Sequence, residues 1–287
     1  MTAALWHADH FSSKRVDAAA PDAWLTAFSR INQETRRADD PDRPRAPVEF
    51  GRTGVGDTGG LAMSTVDHVV LTLPFRGTWL ARNSPARRVP SHGTHLFATT
   101  YAMDFIAVRG RRTADTQDWR TVLATEPVQR FFAFGQPILA PAAGRIVSVH
   151  DGEEDHVARR SQFTLAAYML TQASRVRGGA GAIAGNHVVL ELADGGGYVV
   201  LAHLRAGSLR VGQGESVAAG QELAACGNSG NSTQPHLHIQ VMDSADGYHA
   251  RGLPMAFRDY RAWRRPGGQP VVVGQGIPNE SEVVERL

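Results

Sequence analysis

The sequence is poor in several residue types and patterns. Of 287 residues, one is a cysteine, Cys226, and one is a lysine, Lys14. A single cysteine excludes any disulfide framework within the chain. Cys226 lies in an apolar Leu-Ala-Ala-Cys run, the setting of a small buried residue rather than of a nucleophile. No stretch approaches the roughly 18 consecutive apolar residues of a membrane span. No G-x-S-x-G element marks a serine nucleophile. Basic residues are not clustered with aromatics, and the net charge is only +2 despite a pI near 9.0. Nucleic acid is therefore not an expected partner. Residues 1–30 carry His, Asp, Lys and Arg throughout, with no apolar centre, so a secretory signal is not expected and the chain reads as cytoplasmic. With 42% hydrophobic and 20% charged residues, the composition is that of an ordinary globular protein.

The chain divides by pattern. Residues 1–64 read as an N-terminal extension: a helical spacing of Trp24, Leu25, Phe28 and Ile31, then a linker rich in Asp, Arg and Pro. From residue 65 to 245 the signals are short strands and Gly-rich turns. They include β-branched runs around Val66–Leu73, Trp79–Ala81 and Thr100–Val108, and a hairpin signal, Asp194-Gly195-Gly196-Gly197, between His187–Leu192 and Tyr198–His203. Residues 109–130 read as an inserted loop with a short helix near Trp119–Ala124, and Ser161–Arg177 as an amphipathic helix. After residue 246 the Pro/Gly-rich sequence reads as an irregular tail. The expected fold class is mainly β: an antiparallel sheet curved into a sandwich or barrel, with helical insertions.

The densest stretch runs from Leu201 to Val241 and ends in His236-Leu237-His238. A strand sends alternate side chains to one face, so His236 and His238 should point the same way. Histidine is the commonest metal ligand and the side chain that most readily moves protons near neutral pH. Asp104 stands in a strand whose neighbours Tyr101, Met103, Phe105 and Ile106 are apolar, and a buried carboxylate is costly unless paired or metal-bound. Two histidines on one strand face could give one metal ligand and one acid/base group.

The run AHL…GQ.V..GQ.L…GNSGNSTQPHLHIQV, with the upstream GQPILAPAAGRIVSV, resembles the lysostaphin-type or LytM-like zinc endopeptidases over roughly residues 66–243. The resemblance implies a duplicated hybrid motif and zinc-dependent cleavage of peptides in bacterial peptidoglycan. It implies His238 and Asp104 as zinc ligands, His236 as an acid/base group, and His203 as a second histidine that does not bind metal. Family members commonly place the remaining ligand four residues before the aspartate, but position 100 is threonine here. That leaves His92 and His95. His92 is favoured because it sits in a Pro-Ser-His-Gly turn with the longer, more pliable approach; His95 would then be an outer group or a further acid/base. Two other readings stand beside the enzyme: an inactive peptidase-like domain that binds or regulates, and a phosphocarrier with a hybrid-motif barrel. A cell-wall substrate would require access by a route other than a visible secretory signal. His150 and His156 flank an acidic loop and are expected to be exposed, whereas His187 is expected to be structural.

Overall fold

The structure is a computed structural model that describes residues 68–116, 118–159, 183–265 and 267–287. All of them lie in one compact unit, residues 61–287. The N-terminal helix expected around residues 24–31 and the helix expected at 161–177 fall outside the described residues.

The architecture is mainly β. The strands are β1 (Val69–Thr72), β2 (Thr78–Arg82), β3 (Met103–Ala107), β4 (Pro137–Leu139), β5 (Gly144–His150), β6 (Asn186–Leu192), β7 (Tyr198–Leu204), β8 (Ser216–Val217), β9 (Glu222–Ala225), β10 (Leu237–Met242), β11 (Gly252–Leu253), β12 (Met255–Trp263), β13 (Val271–Gly276) and β14 (Val283–Arg286). Twelve of them form one sheet in the order β1-β12-β14-β2-β3-β10-β7-β6-β5-β8, with β11 on β10 and β13 on β12. β4 and β9 form a separate ribbon. The pairs are antiparallel apart from β1 with β12, and the sheet stays open rather than closing into a barrel. The expected short helix is present at Trp119–Leu123.

The alternation seen in the sequence builds the core. Along β10, Leu237, Ile239 and Val241 are fully buried, so the odd-numbered positions form the apolar face. On β3, Phe105 meets Phe75 at 5.0 Å and Phe257 of β12 at 5.5 Å between ring centroids. Trp79 of β2 stacks on Phe75 at 4.5 Å. The Asp194–Gly197 hairpin forms as expected: Gly195 and Gly197 have φ of 75° and 111°, and the Gly196 N–H donates to Asp194 Oδ1.

The C-terminal part is not an irregular tail. Residues 252–286 carry β11 to β14, and β14 lies between β12 and β2 in the interior of the sheet. The local pattern hides this. In β12, Arg258 and Asp259 are both exposed and Asp259 has φ of 54°, so the inward positions shift phase midway, from Phe257 to Tyr260. One partner of β12 also lies far away in sequence, with Val69 opposite Met255, and no short window shows it.

Phe105 anchors β3 from behind while the neighbouring Asp104 faces the opposite side. Removing its ring should leave a cavity and cost about 3–5 kcal/mol. Denaturant unfolding of Phe105→Ala checks this: a loss below about 1 kcal/mol would mean that β3 is not held by this cluster.

Candidate functional site

The site is built where three strands meet. In the β10–β3 ladder His238 lies directly opposite Asp104, and in the β10–β7 ladder it lies opposite Ala202. Directly opposed residues share a face of the sheet, so strand pairing alone brings the carboxylate and the imidazole together. His238 Nδ1 is 2.9 Å from Asp104 Oδ1. His236, immediately before β10, and Gln240 are two residues either side of His238 and occupy the same face by period 2. The His236 Nε2 atom is 3.6 Å from Asp104 Oδ1.

His92 and His95 come from the loop before β3 and diverge. His92 Nε2 lies 3.2 Å from Asp104 Oδ2, and its ring is 5.0 Å from that of His238. Ligand atoms of His92, Asp104 and His238 all fall within 4.8 Å of one another. His95 is exposed, and its Nδ1 pairs with Thr100 Oγ1 at 3.0 Å. Between the two histidines Gly93 has φ of 76°, and just beyond His95 the short helix Leu96–Tyr101 is sharply kinked: Phe97 and Ala98 have φ of 55° and 62°. Gly252 lies directly beneath, and a Cβ there would meet the Ala98 carbonyl oxygen. Two consecutive left-handed residues are costly for L-amino acids, and the close approach of Gly252 holds them.

His203 is the last piece. It lies in β7 with φ of 60°. The β6–β7 ladder shifts register there, pairing Asn186 with Leu204 but Val188 with Leu201. This is a bulge, a device that re-aims a side chain. The His203 ring lies 4.7 Å from His236 and 5.8 Å from His238.

Each imidazole has its proton placed by a neighbour. A carbonyl oxygen can only accept, so His203 donates from Nδ1 to Ser229 O at 3.0 Å, and His236 donates from Nδ1 to Gln234 O at 2.8 Å. Ser91 Oγ donates to Thr99 O and thereby accepts from His92 Nδ1 at 3.0 Å. The Gln240 amide nitrogen donates to Phe97 O at 2.8 Å, so its oxygen accepts from His238 Nε2 at 3.0 Å. These bonds leave the lone pairs of His203 and His236 on Nε2, while His92 Nε2 and His238 Nδ1 face the oxygens of Asp104.

Charge is distributed unevenly. Burial pushes the Asp104 carboxyl up, but the His92 and His236 rings and the hydrogen bonds from His238 and His92 outweigh it and hold the group well below the usual range. It stays ionised. Burial, reinforced by His236 and His238, drives the pKa of His203 well down, and burial also lowers that of His236. Both are neutral bases at neutral pH. His238 is the exception: burial opposes its charge, but the hydrogen bond to Asp104 raises its pKa on balance. A neutral pair of imidazoles beside an ionised carboxylate suits both metal binding and proton transfer.

Three contributors escaped sequence reasoning. Asn83 donates to Asp104 Oδ2 at 2.6 Å; it follows β2, whose Arg82 opposes Asp104, but a lone Asn in an Asn-Ser-Pro turn carries no signal for this. Ser91 acts only through His92. Gln240 was open to prediction, because it continues the His-x-His alternation by one step. Of the remaining histidines, His187 is held by the Gly185 carbonyl, as expected of a structural residue. His156 is not the exposed residue anticipated: it is half-buried, with Nε2 on Gly230 O at 2.8 Å, because the loop of residues 151–157 folds onto the Gly227–Ser232 loop.

Residues 128–250 match the model for peptidase family M23. The span takes in His203, His236 and His238 but not His92 or Asp104, and covers less than half of the chain. The resemblance drawn from the AHL…HLHIQV run is thereby borne out. No curated protein matches the chain. Among solved structures, similarity is found to the catalytic domain of lysostaphin from Staphylococcus simulans, at 22% identity over 53% of this chain and 74% of that one, with a TM-score of 0.31. A variant of the prophage-encoded M23 protein EnpA from Enterococcus faecalis aligns at 18% identity over 53% of this chain and 73% of that one, TM-score 0.31. A zinc-containing peptidase from Vibrio cholerae aligns at 20% identity over 49% of this chain and 26% of that one, TM-score 0.27.

The Ser229 carbonyl that holds His203 belongs to a loop seated on Gly185. Gly230 has φ of 67°, and a Cβ there would meet the backbone of Gly185 and Ile183. Gly230→Ala should therefore cost more than about 1 kcal/mol, from the left-handed φ alone. Thermal or denaturant melts measure it, and an alanine variant as stable as the parent would show that the loop is not packed in this way.

Proposed function

With a region of peptidase family M23 as the premise, we propose that the chain is a zinc-dependent endopeptidase acting on peptides of the bacterial cell wall. In this reading His92, Asp104 and His238 hold the metal, and His203 and His236 handle protons. The observation that carries the reading is the convergence of two imidazole nitrogens and a carboxylate within 4.8 Å, beside two further imidazoles whose lone-pair nitrogens are fixed.

The donor set fits zinc. Two nitrogen donors and one carboxylate oxygen match a catalytic zinc site, in which three protein ligands leave a position open. His92 would bind through Nε2 and His238 through Nδ1, the atoms turned towards Asp104. Zinc, when bound, supplies Lewis acidity for the scissile carbonyl and a water made nucleophilic near pH 7.

The remaining steps belong to the chain. His236 is neutral, and its Nδ1–H is tied to Gln234 O, so Nε2 is the atom that can accept a proton from the attacking water. His203, oriented in the same way by Ser229 O, offers a second Nε2. Once either ring is protonated, its positive charge lies where negative charge develops on the attacked oxygen, and the same ring can return the proton to the departing amine. Asp104 remains ionised throughout, held by Asn83 as well as by the histidines. Neither a serine nor a cysteine nucleophile is required, and Cys226 is buried with its thiol pKa raised out of reach.

The test combines metal analysis with cleavage of peptidoglycan fragments. Asp104→Ala and His238→Ala should lose bound zinc and activity. His203→Ala and His236→Ala should keep zinc and lose roughly 10²–10⁴-fold in rate, whereas His95→Ala should keep its zinc. Full activity and zinc content in both Asp104→Ala and His238→Ala would refute the assignment. Zinc binding without cleavage would favour a binding or regulatory domain, and phosphotransfer without zinc a carrier.

A further inference from the structure

We infer that Gln240 is a positioning residue for the metal centre: it fixes which nitrogen His238 presents, and it ties that ligand to the kinked Phe97–Ala98 segment. The inference rests on the zinc reading above and assigns a role to a side chain that touches neither metal nor substrate.

An imidazole can offer a metal either nitrogen, and the choice follows the hydrogen bond made by the other one. In His238 the nitrogen opposite Asp104 Oδ1 is Nδ1, and the other, Nε2, meets Gln240 Oε1 at 3.0 Å. An amide could in principle turn either end towards the ring. Here the orientation is settled from the far side, because the Gln240 amide nitrogen donates to Phe97 O at 2.8 Å. The amide oxygen is left to accept, so His238 carries a proton on Nε2 and Nδ1 is the nitrogen turned towards Asp104. Gln240 is 5% exposed, so water is a poor substitute at either end of the amide.

The chain of contacts continues outward. Phe97 O is presented by a residue with φ of 55°, and the Phe97 ring meets exposed Tyr248 edge-on at 5.7 Å between centroids. The surface pair and the metal ligand are thus joined through one buried amide. Methionine in place of glutamine keeps the length of the side chain but removes both hydrogen bonds, whereas glutamate keeps an acceptor for His238.

The experiment uses the full chain loaded with zinc. Chelator competition should show zinc bound 10–100-fold more weakly by Gln240→Met, the range typical of lost outer partners, with Gln240→Glu recovering much of that loss. In nitrogen-15 histidine-labelled protein, the His238 Nε2–H proton should exchange slowly in the parent and rapidly in Gln240→Met. The inference is overturned if Gln240→Met binds zinc as the parent does with the proton still protected, or if the parent spectrum places zinc on His238 Nε2. If Gln240→Met does not fold, the parent spectrum and Gln240→Glu decide: an unprotected proton in the parent refutes the role. A parent chain that takes up no zinc removes the functional reading itself, and this inference with it.

Discussion

The antiparallel register that sets His238 opposite Asp104 is the constraint on which the rest of the site depends. A slip of one residue in either strand would turn one of the two side chains to the other face. The register is held by apolar residues, not by the polar ones it serves. Leu237, Ile239 and Val241 fill the buried face of β10, and Met103 and Phe105 do the same for β3. The side chains that carry the chemistry follow because they alternate with that core. The site is therefore as stable in position as the cluster behind it.

The polar face would be a liability without its internal pairing. A buried carboxylate is costly alone, and Asp104 is 8% exposed. Its oxygens are met by Asn83, His92 and His238, while burial keeps His203 and His236 uncharged. A group of four imidazoles and one carboxylate thus avoids the mutual repulsion that four protonated rings would suffer. The same arrangement turns His92 Nε2, His238 Nδ1 and the Asp104 carboxylate towards one point, where a cation would take the place of the protons they share.

The period-2 run at His236–Val241, the Asp194–Gly197 hairpin and the apolar flanks of Asp104 were legible in the sequence because each is a local pattern with one physical reading. The C-terminal strands were not. The inward positions of β12 change phase at Arg258–Asp259, and the pairings that tie these strands into the sheet, to β1 and β2, lie nearly the whole domain away. His203 could be named but not placed, since its orientation comes from a bulge whose left-handed residue is not a glycine. The choice between His92 and His95 likewise turns on backbone, because left-handed Gly93 stands between them and Ser91 and Asn83 hold His92 on the β3 side while His95 is exposed. Spacing to the aspartate carried no such information.

One loop governs the proton-handling half of the site. Ser229 O orients His203 and Gln234 O orients His236, and both carbonyls belong to the turn that runs from Gly227 into β10. That turn is held on its outer side by Asp155, which accepts from the Asn228 N–H, and by Asn228 itself, whose amide donates to His156 O. Inside, Ser232 Oγ bridges Asn228 Oδ1 and Gln234 O, and Ser229 Oγ receives the Asn186 N–H. The Gly-Asn-Ser-Gly-Asn-Ser composition fits such a turn, since small residues let it lie on Gly185 and short polar side chains satisfy the backbone locally. Strand register sets Asp104 against His238 and this turn fixes the protons of His203 and His236, and the two meet where His236 passes into β10 and where β7 carries His203 beside it. A change in the turn should therefore alter proton transfer while leaving the geometry of Asp104 and His238 in place.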